Sequence, residues 1–262
     1  MIKIATWNVN SVKSRLTHLL EYIRSDDAPD ILLLQELKCV TEQFPYMEIE
    51  DAGYNVAVHG QKTYNGVAIL SKFPIDDVVK KLPGDDSDEQ ARYIEAVISL
   101  KDKAIRVASV YVPNGQSPDS DKFQYKLKFF DRLQDHLKTL LQYEEIMVIG
   151  GDYNVAPEPI DVFDAKALDG TTCYHPLERK KFRSLLGLGF KDAYRIANDN
   201  IQKFSWWDYR AGAWQQNKGM RIDHLLLSPE AADFTTSSDV EQSLRNKEQP
   251  SDHAPVWCRL KV

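Results

Sequence analysis

The chain has 262 residues, 43% hydrophobic and 27% charged, which supports a sizeable core and excludes a disordered or fibrous protein. Thirty-three Lys and Arg against 39 Asp and Glu leave a net charge of −6, which argues against passive coating of nucleic acid, since that needs a basic face. No apolar run approaches the roughly 20 residues of a membrane-spanning helix.

The start, Met1-Ile2-Lys3-Ile4-Ala5-Thr6-Trp7, carries no basic region followed by an apolar stretch, so no signal peptide is expected. Ile2 to Trp7 reads as a buried strand. Ser11 is placed to cap a helix whose apolar positions are Leu16, Leu19, Leu20 and Ile23. Ile31 to Leu34 is a second buried strand, running into Gln35-Glu36. Val56 to Val58 and Val67 to Leu70 read as strands joined near Asn65-Gly66, and Arg92 to Leu100 with Ile105 to Val110 as another pair. Asp121 to Leu141 is the clearest helix: Phe123, Leu127, Phe130, Leu133, Leu137 and Leu141 recur every three or four residues. Ile146 to Ile149 is a strand leading into Gly150-Gly151-Asp152. A helix from Pro176 to Leu186 and strands at Ile222–Leu227 and Ala254–Leu260 complete the pass. The acidic run Asp85 to Glu89 reads as a solvated loop. Several strand pairs lie too close in sequence for helical crossovers, so a mixed-sheet α/β protein with two packed sheets fits better than a doubly wound one. Strand, helix, then strand ending in an acid appears in both halves, a hint of internal duplication. The three cysteines, Cys39, Cys173 and Cys258, fit no zinc spacing and suit a reducing cytoplasm.

Polar residues sit at the ends of these apolar strands, where a sheet aims side chains rigidly into a cleft. Asn8 follows the first strand and Glu36 the second. Asp152 and Asn154 follow the strand after the long helix, Asp223 lies inside Arg221-Ile222-Asp223-His224, and Asp252-His253 precedes the last strand. Taken singly, such an Asp caps a turn and such a His is structural.

Taken together they resemble a specific family. Trp7-Asn8-Val9-Asn10-Ser11, Gln35-Glu36-Leu37-Lys38, Gly150-Gly151-Asp152-Tyr153-Asn154, Arg221-Ile222-Asp223 and Ser251-Asp252-His253-Ala254-Pro255 look like the ordered motifs of exonuclease III-type abasic endonucleases. Tyr111-Val112-Pro113-Asn114-Gly115 and the stretch from Phe204 to Arg210 look like two more. The resemblance runs from residue 2 to about residue 260 and implies a single domain, 1–262, with a four-layer α/β sandwich of two packed mixed sheets flanked by helices. It implies a metal-dependent DNA phosphodiesterase of base-excision repair that cuts 5′ to abasic sites and trims 3′ ends.

Such chemistry needs a cation to neutralise the phosphate, a base for water, and donors for the developing charge. The resemblance assigns Tyr111, Asp152, Asn154, Asp223 and His253 to catalysis. It assigns Asn8, Glu36, Asp152, Asn154, Asp252 and His253 to a Mg²⁺ shell that Mn²⁺ also fills, since hard cations prefer oxygen ligands. Arg92, Gln116, Lys122 and Arg210 are expected to contact DNA, and Trp206, Trp207, Met220 and Ile222 to form an apolar pocket for a baseless sugar. For Trp207, ordinary core packing is an equal expectation. The cluster Arg179-Lys180-Lys181-Phe182-Arg183 is either a DNA-facing patch or a solvated helix face. The expected partner is duplex DNA with abasic sites or blocked 3′ ends, met by a cytoplasmic monomer without membrane contact. Asn114, Met220 and Tyr174-His175 depart from the family's pattern.

Two other readings compete. A nonspecific deoxyribonuclease or phosphoinositide phosphatase of the same superfamily shares the strand-end acids and the Asp-His pair, but Trp206-Trp207 and Pro113-Asn114-Gly115 fit the repair branch better. A non-catalytic binding relative is disfavoured, because decay would be expected to strike at least one of Asn8, Glu36, Asp152, Asn154, Asp223, Asp252 and His253.

Overall fold

In the computed structural model, which describes residues 1–262, the chain opens with β1 (Ile2–Asn8), α1 (Leu16–Ile23) and β2 (Ile31–Gln35). Both strands are buried throughout, which is why they read as unbroken apolar runs. Next come α2 (Tyr46–Glu50), β3 (Asn55–His59) and β4 (Val67–Ser71), then a meander of β5 (Ile75–Lys80), β6 (Tyr93–Ser99) and β7 (Ala104–Tyr111). The long α3 (Asp121–Leu140) returns the chain to β8 (Met147–Asp152); Ser120 caps it, accepting from the Phe123 amide. After α4 (Ala165–Leu168), α5 (Pro176–Gly187), β9 (Lys191–Asp192) and α6 (Ala193–Ala197), a short pair forms from β10 (Trp206–Trp207) and β11 (Gly219–Met220). The chain ends with β12 (Asp223–Leu227), α7 (Pro229–Asp233), β13 (Thr235–Val240) and β14 (Val256–Leu260).

Two six-stranded sheets result, ordered β13-β14-β1-β2-β4-β3 and β5-β6-β7-β8-β12-β9. Each has one parallel pair at its centre, β1 with β2 and β7 with β8, flanked by antiparallel neighbours. The repetition expected from the sequence is therefore visible in strand order and direction. Ile4, Leu33 and Ile69 of the first sheet pack against Ile94, Val107 and Leu225 of the second. On the outer face of the first sheet, Leu19 and Ile23 of α1 cover Leu32 and Leu34. On the outer face of the second, Phe130 and Leu133 of α3 and Phe182 of α5 cover Ile149 and Leu226. The order is helix, sheet, sheet, helix, the four-layer sandwich expected.

This topology decides where the polar strand ends go. Parallel β1 and β2 end together, delivering Asn8 and Glu36. Parallel β7 and β8 deliver Tyr111 and Asp152. β12 runs opposite to β8 with Asp223 paired to Asp152, and β14 runs opposite to β1 with Val256 paired to Thr6. All these residues gather at one edge of the sandwich.

Several expectations need correction. Ser11 does not cap α1: Arg15 precedes the helix and no side chain caps it. Ser11 sits at φ 91° in a turn whose amide is tied to the Glu36 carbonyl at 2.8 Å. β5 and β13 carry no apolar alternation in the sequence: both are edge strands, β5 largely exposed and β13 built mostly of Thr, Ser and Asp. The acidic stretch is more than a solvated loop, since Asp88 accepts from Arg132 at 2.7 Å and from Tyr125 at 2.9 Å, both on α3.

Gly151 explains part of the Gly-Gly-Asp motif. A Cβ at this position would lie 1.9 Å from the Val110 carbonyl oxygen of the neighbouring strand. Gly151→Ala is therefore expected to lower the melting temperature by about 6 °C or more, from an overpacking penalty of about 3 kcal/mol at roughly 2–4 °C per kcal/mol. Gly187→Ala, where nothing lies within 4 Å, is expected to be neutral or mildly stabilising. Thermal unfolding of both variants checks the contrast; equal melting temperatures would contradict it.

Candidate active site

Asn8 joins the two sheets at the cleft. Its side-chain amide donates to Glu36 Oε1 at 2.8 Å and to Asp152 Oδ2 at 2.9 Å, and its Oδ1 accepts from the Asn10 amide at 3.0 Å. That acceptor fixes which end of the amide faces the carboxylates. Glu36 lies one residue beyond β2 at φ 52°, a left-handed turn that swings its carboxylate toward Asn8. Lys38 sits 3.0 Å from its other oxygen. Burial raises the Glu36 pKa, but the Lys38 charge and the Asn8 hydrogen bond outweigh it and hold the group below its usual value.

Asp152 is 1% exposed. Burial, with the charges of Asp223 and Glu36, pushes its carboxyl up to about 7 against the lowering influence of His253 and Asn8. His253 Nδ1 lies 2.9 Å from Asp223 Oδ2, and its Nε2 points at Asp152 Oδ2 at 3.8 Å. Burial alone would keep this imidazole neutral. Asp223 and Asp152 outweigh it and raise its pKa to about 10. Ser205 steadies the pair: its hydroxyl donates to Asp223 Oδ2 at 2.6 Å and accepts from the amides of Ile222 and Asp223.

A second chain of amides starts at the Gln116 backbone N–H, which donates to Asn114 Oδ1 at 3.1 Å. Asn114 Nδ2 donates to Asn154 Oδ1 at 3.0 Å, and Asn154 Nδ2 donates to the Val112 carbonyl at 2.9 Å. Each bond fixes the orientation of the next amide and leaves one Asn154 hydrogen free. Tyr111 stays a neutral donor, because burial and the nearby Glu36 charge hold its hydroxyl well above the ordinary value. The Arg92 guanidinium lies 4.7 Å from its ring centre.

Glu36, Tyr111, Asn114, Asp152, Asn154 and His253 line a cleft of about 280 Å³ together with Cys173, Trp206, Met220, Ile222 and Asp252. Of the carboxylates and imidazoles, Glu36, Asp152 and His253 form one group whose donor atoms lie within 4.8 Å of one another. Asp252 has both oxygens engaged, by Trp206 Nε1 at 3.0 Å and Asn10 Nδ2 at 2.9 Å. Arg92, Gln116 and Lys122 line an adjoining depression of about 410 Å³ that shares Tyr111 and Asn114 with the cleft.

Some expected residues lie elsewhere. Trp207 is fully buried, packs against Phe204 and Trp214, and donates to Asn217; the indole fills the core rather than the cleft. Arg210 is exposed and lines neither cavity. The basic cluster on α5 is a solvated face with acidic partners: Arg179 with Asp169, Lys181 with Asp131 and Arg183 with Glu158. Phe182 from the same stretch is core. Ser205, Asn10 and Cys173 went unassigned in the sequence. Ser205 lies inside a motif that was read, but only the fold shows its hydroxyl turned onto Asp223.

The endonuclease/exonuclease/phosphatase family profile matches residues 5–253. The exodeoxyribonuclease III of Haemophilus influenzae is 34% identical over 268 residues, covering 99% of this chain and 100% of its own. A Neisseria 3′ phosphatase, solved bound to a product DNA hairpin, has a TM-score of 0.96 at 37% identity, with all of both chains covered. An AP endonuclease from Archaeoglobus fulgidus has a TM-score of 0.94 at 37% identity, again with full coverage.

The His253 environment gives a signed expectation. A raised folded-state pKa contributes stability that is fully present below the unfolded value of about 6.5 and lost as pH rises through about 10. Without added metal, the His253 ring nitrogens should therefore remain protonated at neutral pH in nitrogen NMR spectra. In Asp223→Asn the ring should deprotonate at distinctly lower pH. An unchanged titration in that variant would show that Asp223 does not hold the charge.

Proposed function

The chain belongs to the endonuclease/exonuclease/phosphatase family, in its exodeoxyribonuclease III branch, and from that premise we propose how it acts as a DNA-repair nuclease. Its substrate is duplex DNA carrying an abasic site, which it hydrolyses 5′ to the lesion, or a 3′ end bearing a phosphate, a blocking group or a terminal nucleotide. Residues 1–262 work as one domain and as a monomer. Three free, buried cysteines suit a reducing compartment such as the cytoplasm, and no helix is long and apolar enough to cross a membrane.

The single observation that carries this reading is the Asn8–Glu36–Asp152–His253 cluster beside an apolar wall of Trp206, Met220 and Ile222 in one small cleft. The cluster fits a hard divalent cation. Glu36 and Asp152 offer oxygen donors close together, and neighbouring negative charge already raises Asp152, a crowding that a cation relieves. Mg²⁺, with Mn²⁺ as a substitute, would be held by Glu36 and Asp152, with Asn8 fixing both; when bound it neutralises the phosphate and favours attack by water.

The protein's own groups do the rest. Asp152, buried and aimed into the cleft beside His253, accepts a proton from the attacking water. His253, protonated and oriented by Asp223, offers its Nε2 proton to a phosphate oxygen. In this reading His253 acts as a phosphate donor through Nε2, with Nδ1 held by Asp223. The free hydrogen of Asn154 and the neutral Tyr111 hydroxyl donate to the same phosphate. Asp252 lies outside the Glu36–Asp152–His253 donor group and orients Trp206 and Asn10 through its two oxygens. Arg92, Gln116 and Lys122 take flanking phosphates.

The apolar wall accounts for selectivity. A baseless sugar enters a small pocket after leaving the stack, whereas a normal nucleotide must break pairing and stacking, at a few kcal/mol, and still accommodate a base.

Strict dependence on Mg²⁺ or Mn²⁺ is expected; full cleavage of an abasic duplex in zinc alone, or after chelation, would overturn the assignment. Asp152→Asn and His253→Ala should each lower kcat by roughly a hundredfold or more while melting as cooperatively as the wild type. Near-normal turnover in either would refute the role given to it. Trp206→Ala should lower the ratio of abasic incision to 3′-phosphate removal; an unchanged ratio in the folded variant would remove Trp206 from the pocket.

A further inference from the structure

Lys126 on α3 and Glu178 on α5 form an ion pair in which both side chains are 0% exposed. The Lys126 ammonium donates to Glu178 and to two backbone carbonyls, those of Asn154 at 2.7 Å and Asn114 at 3.1 Å. The other Glu178 oxygen accepts from the His175 amide at 3.0 Å. One buried pair is thus bonded to the loop after β7, the loop after β8 and the segment entering α5. These segments carry Asn114, Asn154 and Cys173, all of which line the cleft.

Each of those segments also bends through left-handed backbone: Gly115 at φ 91°, Gln116 at 54°, Asn154 at 50° and Cys173 at 71°. For non-glycine residues this conformation is unfavourable and persists only when the surroundings impose it. Gly115 is packed so closely on the lysine that a Cβ there would lie 3.1 Å from Lys126 Cδ. A fully buried ion pair is a poor device for stability alone, because apolar residues of similar volume often serve as well or better. Apolar residues cannot supply an ammonium whose hydrogens hold two carbonyls at once.

We propose that Lys126 and Glu178 are positioning residues that lock the loops bearing Asn114 and Asn154, so that the free Asn154 hydrogen faces the scissile phosphate. The inference rests on the phosphodiesterase reading, in which Asn154 is a phosphate donor. The chain of dependence is short. Lys126 holds the Asn114 carbonyl, Asn114 holds the Asn154 side chain, and Lys126 also holds the Asn154 backbone. Removing the ammonium frees two of those three restraints.

The test uses the full-length chain with Mg²⁺ and an abasic duplex, comparing wild type, a Lys126→Met/Glu178→Leu variant and a Lys126→Gln/Glu178→Gln variant. The Met/Leu chain should melt within a few degrees of wild type or above it. Its backbone amides over residues 112–117 and 153–156 should exchange faster with deuterium, while those of the central strands do not. Its kcat should fall by about ten- to a hundredfold with little change in KM, the scale expected for misplacing one oriented group. The Gln/Gln chain, which keeps amide donors without charge, should recover most of the lost kcat and loop protection. Wild-type kcat and wild-type exchange in the Met/Leu chain would overturn the proposal. So would loss of cooperative melting in that chain, which would make the pair a folding element. If wild type fails to cleave while the exchange pattern appears as described, the nuclease reading falls and the loop restraint stands.

Discussion

Asn8 donates one amide to two carboxylates, Glu36 at 2.8 Å and Asp152 at 2.9 Å, that belong to different sheets. Buried carboxylates this close repel each other and are tolerated only where donors or cations compensate them. The fold supplies the closeness through the packed sheets, and it supplies the compensation piecemeal. Asn8 bridges two of the acids, Lys38 faces Glu36 from the rim, and His253 stands between Asp152 and Asp223. None of these removes the negative excess at the centre. In the proposed reading a divalent cation and a phosphate group, one positive and one negative, fit together into what remains.

The same bookkeeping explains how a chain with a net charge of −6 acts on a polyanion. Global charge governs long-range attraction, but affinity at the scissile bond is set within a few ångströms, where, in the proposed mechanism, a bound cation and the His253 imidazolium oppose the acids. Orientation matters as much as charge. The amides of Asn8, Asn114 and Asn154 each have a backbone or amide partner that forbids the flipped arrangement. The donors are thus aimed before substrate arrives, and little reorganisation is left for the reaction itself.

Much of this was legible in the sequence because it lies where the chain changes character. Asn8, Glu36, Asp152 and Asp223 each sit at the junction of a buried strand and a loop, and an unbroken apolar run ending in an acid is a visible signal. The α3 helix declared itself through its apolar spacing. What was not legible depends on contacts between distant segments. Ser205 turns its hydroxyl onto Asp223, and Lys126 meets Glu178, with no periodicity to announce either. Trp206 and Trp207 are adjacent in sequence yet face opposite ways across a two-residue strand, one at the cleft and one in the core. The edge strands β5 and β13 gave no such signal, because β5 is largely exposed and β13 is mostly Thr, Ser and Asp.

The bridging amide of Asn8 is the most direct point at which to test the account. The measurement is the rate of abasic-duplex cleavage as a function of Mg²⁺ concentration in wild type and Asn8→Ala, with melting curves recorded on both. If the amide holds Glu36 and Asp152 as a cation site, the variant stays folded, needs more Mg²⁺ for half-maximal rate, and remains slower at saturation. A folded Asn8→Ala chain with the Mg²⁺ dependence and maximal rate of wild type would contradict the account at its centre.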